Sequence, residues 1–200
     1  MWLDRNVVRH LAAAAAVLGA AACGASESEQ ADRACTPVEP SLTAEASAAA
    51  LVGEYAVTMI ATSAAQGETP DTVHGTLTLN RYASDQRALS VAGGAPDPNF
   101  EAALYGTTDL PLERLGAPAL GALDSADPDR PGVFVVERVG EPKSIMLRFG
   151  AEANRRDAQR FDGGYMAFQV DAIQQDGFAG SWRTGIMTTE AQGYFCAVRR

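Results

Sequence analysis

The sequence is short of the residues that most chemistry needs. Of its two histidines, His10 lies near the start, which leaves His74 for the rest of the chain. A single histidine with no cysteine or carboxylate pair beside it is a poor metal site. Neither a Gly-x-x-x-x-Gly-Lys phosphate loop nor a Gly-x-Gly-x-x-Gly turn is present. No Gly-x-Ser-x-Gly marks a nucleophile. A scattered Ser-His-Asp triad would have to be built on His74. Ser181, in Gly180-Ser181-Trp182, reads as a strand residue. No catalytic residue, metal ligand or cofactor follows from this inventory, and the expectation is a protein that is not an enzyme. Lys143 is the only lysine, a mark of genome composition, since the other positive charges are arginine. The net charge of −9 argues against a nucleic-acid partner. Asp124, Asp127 and Asp129 lack the glycine turn and closing Glu of a calcium loop and read as a solvated loop. Arg155, Arg156 and Arg160 are interleaved with Asp157 and Asp162, which partly neutralise them. The apolar run Leu11–Ala22 is shorter than the roughly 20 residues that cross a bilayer.

That run has a different use. Arg5 and Arg9 precede it, small residues end it, and Cys23 follows, before a polar stretch beginning at Gly24. A basic start, an apolar core and a small-residue cut describe an export signal. With the cysteine directly after the cut, the segment resembles a bacterial lipoprotein signal. The resemblance implies lipid on Cys23 and anchoring in the cell envelope. Gly24, where an Asp would mark retention in the inner membrane, implies the outer one. Ala20 stands where that pattern usually has Leu, and Ala20-Ala21-Ala22 also fits ordinary secretory cleavage. Both readings cut after Ala22. Cys35 and Cys196 then remain, an even pair in an oxidising compartment, and are expected to form a disulfide.

The expected organisation is a signal peptide over 1–22, a lipidated tether over 23–40 and one β-domain over 41–200. Ser41 is placed to cap a short helix from Leu42 to about Leu51. Beyond it the period changes to two. Tyr55, Val57 and Met59 share a face, as do Leu77 and Leu79. A third strand is expected over Arg87–Val91, and a fourth over Asn99–Thr108 with Phe100, Ala102 and Leu104 alternating. Pro111–Gly116 reads as a helical turn ended by glycine. Strands then follow over Val133–Arg138 and Ser144–Phe149. Met166, Phe168, Val170 and Ala172 alternate with smaller or polar neighbours. Asp176-Gly177 marks a hairpin leading to Phe178, Gly180 and Trp182. The last strand ends at Arg199. Successive hairpins make an antiparallel meander, and a sheet this long closes to remove its edges. The fold class is therefore all-β, an up-and-down barrel of about eight strands with a short N-terminal helix. An immunoglobulin-like sandwich is the alternative.

The short helix, the Gly53-Glu54-Tyr55 opening and the meander resemble the lipocalins and avidin-like barrels, with Tyr in the place of the lipocalin Trp. The resemblance implies that Arg199 packs over Tyr55 where the barrel closes. It also implies an interior that holds a small apolar molecule. Tyr55, Met59, Met166, Phe168, Phe178 and Trp182 fall on inward faces and are the residues that would line it. The alternative is a barrel filled by those same side chains, acting as a structural or docking lipoprotein with no ligand. Either way the expected protein is a monomer held to the membrane by its N-terminal lipid.

Overall fold

The computed structural model describes residues 35–64, 69–82, 88–90, 96–117, 120–138, 140, 142–150, 164–186 and 189–200. Residues 1–34, with the expected signal, Cys23 and most of the expected tether, lie outside that set. So does the loop carrying Arg155, Arg156 and Arg160.

Among the described residues, nine antiparallel strands make one sheet: β1 (Gly53–Ser63), β2 (Thr72–Arg81), β3 (Ala88–Ser90), β4 (Pro96–Thr108), β5 (Val133–Arg138), β6 (Ile145–Phe149), β7 (Gly164–Gln174), β8 (Gly177–Ile186) and β9 (Thr189–Arg199). Eight of them close a barrel. β9 pairs with β1, and β2 pairs with β4 through Leu77–Arg81 against Thr108–Leu104. The short β3 is not a separate stave. It carries on the line of β2 along β4, where Arg81 faces Leu104 and Ala88 faces Glu101. The closed, up-and-down order is the one the alternating pattern predicts.

Period-two burial generates the core. Tyr55, Val57 and Met59 point inward from β1, Val133 and Val135 from β5, Ile145 and Leu147 from β6, and Phe195 and Ala197 from β9. Two of the sheet's four register irregularities among the described residues reset the count. One lies between Ala102 and Leu104. Leu104 enters the core, while Ala102 joins Tyr82, Phe134 and Val136 in a separate cluster. The side chain of Phe100 lies outside the described set. The second bulge lies between Val170 and Ala172. After it Ile173, not the expected Ala172, packs on the core. Periodicity alone does not register such an extra residue.

Each end of the barrel is plugged by a single 3-10 turn. At the first end the expected helix over 42–51 shrinks to Ala48–Leu51. Its cap is Ser47 rather than Ser41: the Ala49 N–H donates to Ser47 Oγ at 3.2 Å. The Ser41 N–H is already spent on the carbonyl of Asp171 in β7, at 2.7 Å, so the chain is pinned to the wall there. Leu51 is buried in the barrel mouth. At the other end the turn Leu112–Leu115 stops at Gly116, in the left-handed region at φ 77°, as the sequence predicts. Leu110, Leu112 and Leu115 enter the core from that side.

Candidate functional site

The six residues expected to line a cavity do come together. Tyr55, Met59, Met166, Phe168, Phe178 and Trp182 belong to one buried cluster, and none is more than 3% exposed. They meet because β7 and β8 pair with Phe168 opposite Trp182. Facing same-side residues of an antiparallel pair lie side by side. The rings then pack on one another. Phe168 stacks on Phe195 with centroids 4.5 Å apart and lies against Phe149 at the same distance. Phe178 meets Phe195 and Tyr55 edge-on. The Trp182 indole N–H donates to the carbonyl of Tyr194 at 3.1 Å, so its polar atom is satisfied without a ligand. Among the described residues, a space of ≈ 10 Å³ lies at the second end beside Ala61, Asp71, Arg114 and Ala191. That is about the room one water needs.

The first end is locked by the chain's penultimate residue. Arg199 lies over the Tyr55 ring, its Cζ 5.2 Å from the centroid. Its guanidinium donates to the Tyr55 hydroxyl at 2.9 Å and to the carbonyls of Val52 and Ala50. This is the closure the Gly53-x-Tyr55 opening implied. Burial pushes the Tyr55 hydroxyl pKa up, against the opposing pull of Arg199. Gly53 is required for a local reason. Its φ is +145°, and a Cβ there would fall 2.5 Å from Arg199 Nη1. Across the same mouth Glu137, at the end of β5, accepts from the Ala48 N–H at 2.9 Å and is paired with Lys143. The only lysine thus braces the residue that caps the plug.

Cys35 and Cys196 form a disulfide with Cα atoms 5.6 Å apart, within the ordinary range. Cys196 alternates with the inward Phe195 and Ala197 and so faces outward from β9. The bridge therefore fixes residues 35–41 as a strap on the outer wall, running from β9 to the Ser41–Asp171 hydrogen bond on β7.

Beside this strap the outer wall is dished. A groove of ≈ 570 Å³ crosses β6, β7, β8 and β9 to β1, with Pro37 and Val38 on its rim. Strand register orders its floor. One row runs Ala167, Arg183, Gln192, and the next runs Met146, Gln169, Ser181, Tyr194. Small outward residues, Ala167 and Ser181, make the hollow between long polar ones. Asp171 closes the strap end, hydrogen-bonded to Ser181, and burial raises its carboxyl pKa. On β6, outside the groove's lining, burial lowers the Arg148 pKa. The sequence analysis did not find this groove. Its signal, two small outward residues on neighbouring strands flanked by polar ones, becomes visible only once register is known.

The remaining candidates stay apart. His74 is on the outside of β2, with Nδ1 3.1 Å from Thr58 Oγ1. Ser181 is an exposed strand residue of β8. In the Asp124–Asp129 loop the carboxylate of Asp127 accepts from the Asp129 N–H at 2.9 Å, a local turn contact. Among the described residues no group of three or more His, Cys, Asp or Glu is arranged for a metal, and no helix is long and apolar enough to cross a membrane.

No family model matches the sequence, and no curated protein matches it. A solved structure, described as EF1p2_mFAP2b bound to DFHBI, is similar at 10% identity with a TM-score of 0.35, over 76% of this chain and 94% of that one.

Proposed function

We propose that the protein is an envelope-anchored lipoprotein whose barrel is a solid scaffold, and that it works without catalysis by engaging another envelope component on its outer surface. The observation that carries this reading is the packed interior. The side chains that would line a ligand cavity stack on one another between two plugged ends. An apolar ligand would have to displace a core, not enter a vacancy. Support for export is the oxidised cysteine pair together with the N-terminal pattern ending at Cys23.

Two measurements test the reading. A radioactive fatty acid fed to producing cells should label the protein and leave a Cys23→Ser variant unlabelled; label on the variant would remove the anchor. N-phenyl-1-naphthylamine, a neutral apolar fluorophore, should show no saturable binding and leave Trp182 emission unchanged. Saturable binding that quenches Trp182 would restore the ligand carrier expected from the lipocalin resemblance.

A further inference from the structure

We propose that the Cys35–Cys196 bridge is a redox latch: a dithiol opens it, and the strap over 35–41 lifts from the outer wall while the barrel stays closed. The wall so uncovered belongs to the surface that the outward-binding reading requires, and this use of the latch rests on that reading.

The strap lies along one register row. Cys196 on β9 faces Ala179 on β8, and Ala179 faces Ala172 on β7, next to Asp171. Cys35 is bonded to the first of these strands, and the Ser41 N–H donates to the last, at the carbonyl of Asp171. Outward side chains in neighbouring rows, Ala56, Ser181 and Arg183, are exposed. In this row Thr58, Ala179 and Asp171 are buried, at 6%, 3% and 9% exposure. Thr58 faces Cys196 from β1, and its carbonyl oxygen lies 4.0 Å from Cys35 Sγ. Outward residues are buried only where something stands over them, and the strap stands over this row.

Between its ends the strap is lightly held. Pro37 and Pro40 have no N–H to donate. Among the described residues, the Ser41 N–H makes the one backbone hydrogen bond between residues 36–41 and the wall. Thr36, Pro37, Glu39, Pro40 and Ser41 are exposed. A single hydrogen bond at an exposed site adds little net stability, so the covalent end keeps the strap down. The barrel has its own closure. Eight register pairs join β1 to β9, from Tyr55 with Arg199 to Ser63 with Gln192. No residue from 35 to 41 belongs to the barrel core.

Exposure decides which sulfur is attacked. Cys35 is buried and Cys196 is partly exposed, so an incoming thiolate reaches Cys196. Its attack forms a mixed disulfide on Cys196 and breaks the bridge, and the electron pair leaves on Cys35 as a thiolate. The strap end is thus the leaving group and is free after the first step. The reductant's second thiolate then attacks its own sulfur in the mixed disulfide and expels the Cys196 thiolate. The dithiol ends as a disulfide, two electrons have passed to the protein, and the two protons given up by the dithiol are taken by the cysteines. Thr58, Ala172 and Ala179 then continue the floor of the groove, whose rim at Pro37 and Val38 has moved away.

The experiment follows the isotope-labelled mature protein by NMR relaxation in native buffer, before and after addition of dithiothreitol. Alkylation with iodoacetamide and mass measurement count the thiols released. Without denaturant, dithiothreitol should free both cysteines. Backbone order parameters of Val38, Glu39 and Ser41 should fall from about 0.85 to below about 0.6, while those of Val57, Phe168 and Ala197 stay at about 0.85. Cys35→Ser should give the same pattern with no reductant; if that variant does not fold, the reduced parent protein decides the matter. A bridge that resists dithiothreitol until denaturant is added would overturn the latch. So would a strap that stays rigid after reduction, or β1 and β9 loosening together with it, since the bridge would then staple the whole fold. N-phenyl-1-naphthylamine separates this claim from the reading beneath it. Saturable binding that quenches Trp182 ends the solid scaffold and leaves the latch standing, whereas a strap still rigid after reduction ends the latch alone.

Discussion

The two faces of the β7–β8 hairpin are built from alternate residues of the same strands, yet they are governed differently. Inward, Phe168, Val170, Phe178 and Trp182 interlock with Phe149 and Phe195, and each is fixed by its neighbours' volume. Outward, Ala167, Gln169, Ser181 and Arg183 line the groove, where Gln169 accepts from Ser144 and Ser181 is hydrogen-bonded to Asp171, and no ring packing fixes their volume. The inner face is explained by stability. The outer face is free for recognition, and a hollow there costs the fold little. Under the proposed function, the solid inside leaves binding to the dished outside.

Substitutions can break that contrast, beginning with the largest effect. Replacing Cys35 or Cys196 reopens a loop spanning 161 residues. Chemical denaturation should register a loss of about 3–5 kcal/mol, with the strap released from the groove rim. Phe168→Ala should cost about 3–5 kcal/mol by the same assay, because it leaves a cavity among packed rings. A loss below about 1 kcal/mol would mean that the interior is loose. Gly53→Ala should cost about 1–3 kcal/mol, since it forces a side chain into a glycine conformation and against Arg199.

A smaller effect sharpens the outer side. Asp171 has a carboxyl pKa raised by burial. A raised folded-state pKa means that the folded protein holds its proton longer than the unfolded chain does. The resulting stabilisation is full below the ordinary aspartate value of about 4 and fades as pH rises through the raised one. Asp171→Asn should therefore raise the thermal midpoint at neutral pH and lose that advantage in acid. The smallest effect belongs to Ala167→Trp, within about 0.5 kcal/mol of the parent, although it sits one residue from Phe168.

Much of this was legible before any coordinates. Alternation placed Tyr55, Met59, Phe168, Phe178 and Trp182 inward, because a buried face enforces period two. Asp176-Gly177 gave the β7–β8 turn, and Gly53-x-Tyr55 with Arg199 gave the closure. Compartment logic gave the pairing of Cys35 with Cys196. The bulges at 103 and 171 were not legible, since an inserted residue leaves composition unchanged and shifts only the face. The helix at 42–51 was overread. Its alanines favour helix, but Ser41 is held by β7 and the remaining chain must cross the barrel mouth. The groove was hidden because it depends on which residues of four strands stand abreast. Whether the barrel is hollow or filled was equally hidden, for the same apolar residues serve both.

The central claim is that the barrel interior is solid, and xenon tests it most directly. Xenon occupies dry apolar cavities that water leaves empty. Crystals of the mature protein pressurised with xenon should show no xenon among Tyr55, Met59, Phe168 and Trp182, while the Phe168→Ala variant should show it at the vacated ring. Xenon inside the unmodified barrel would contradict the account and return the interior to ligand binding.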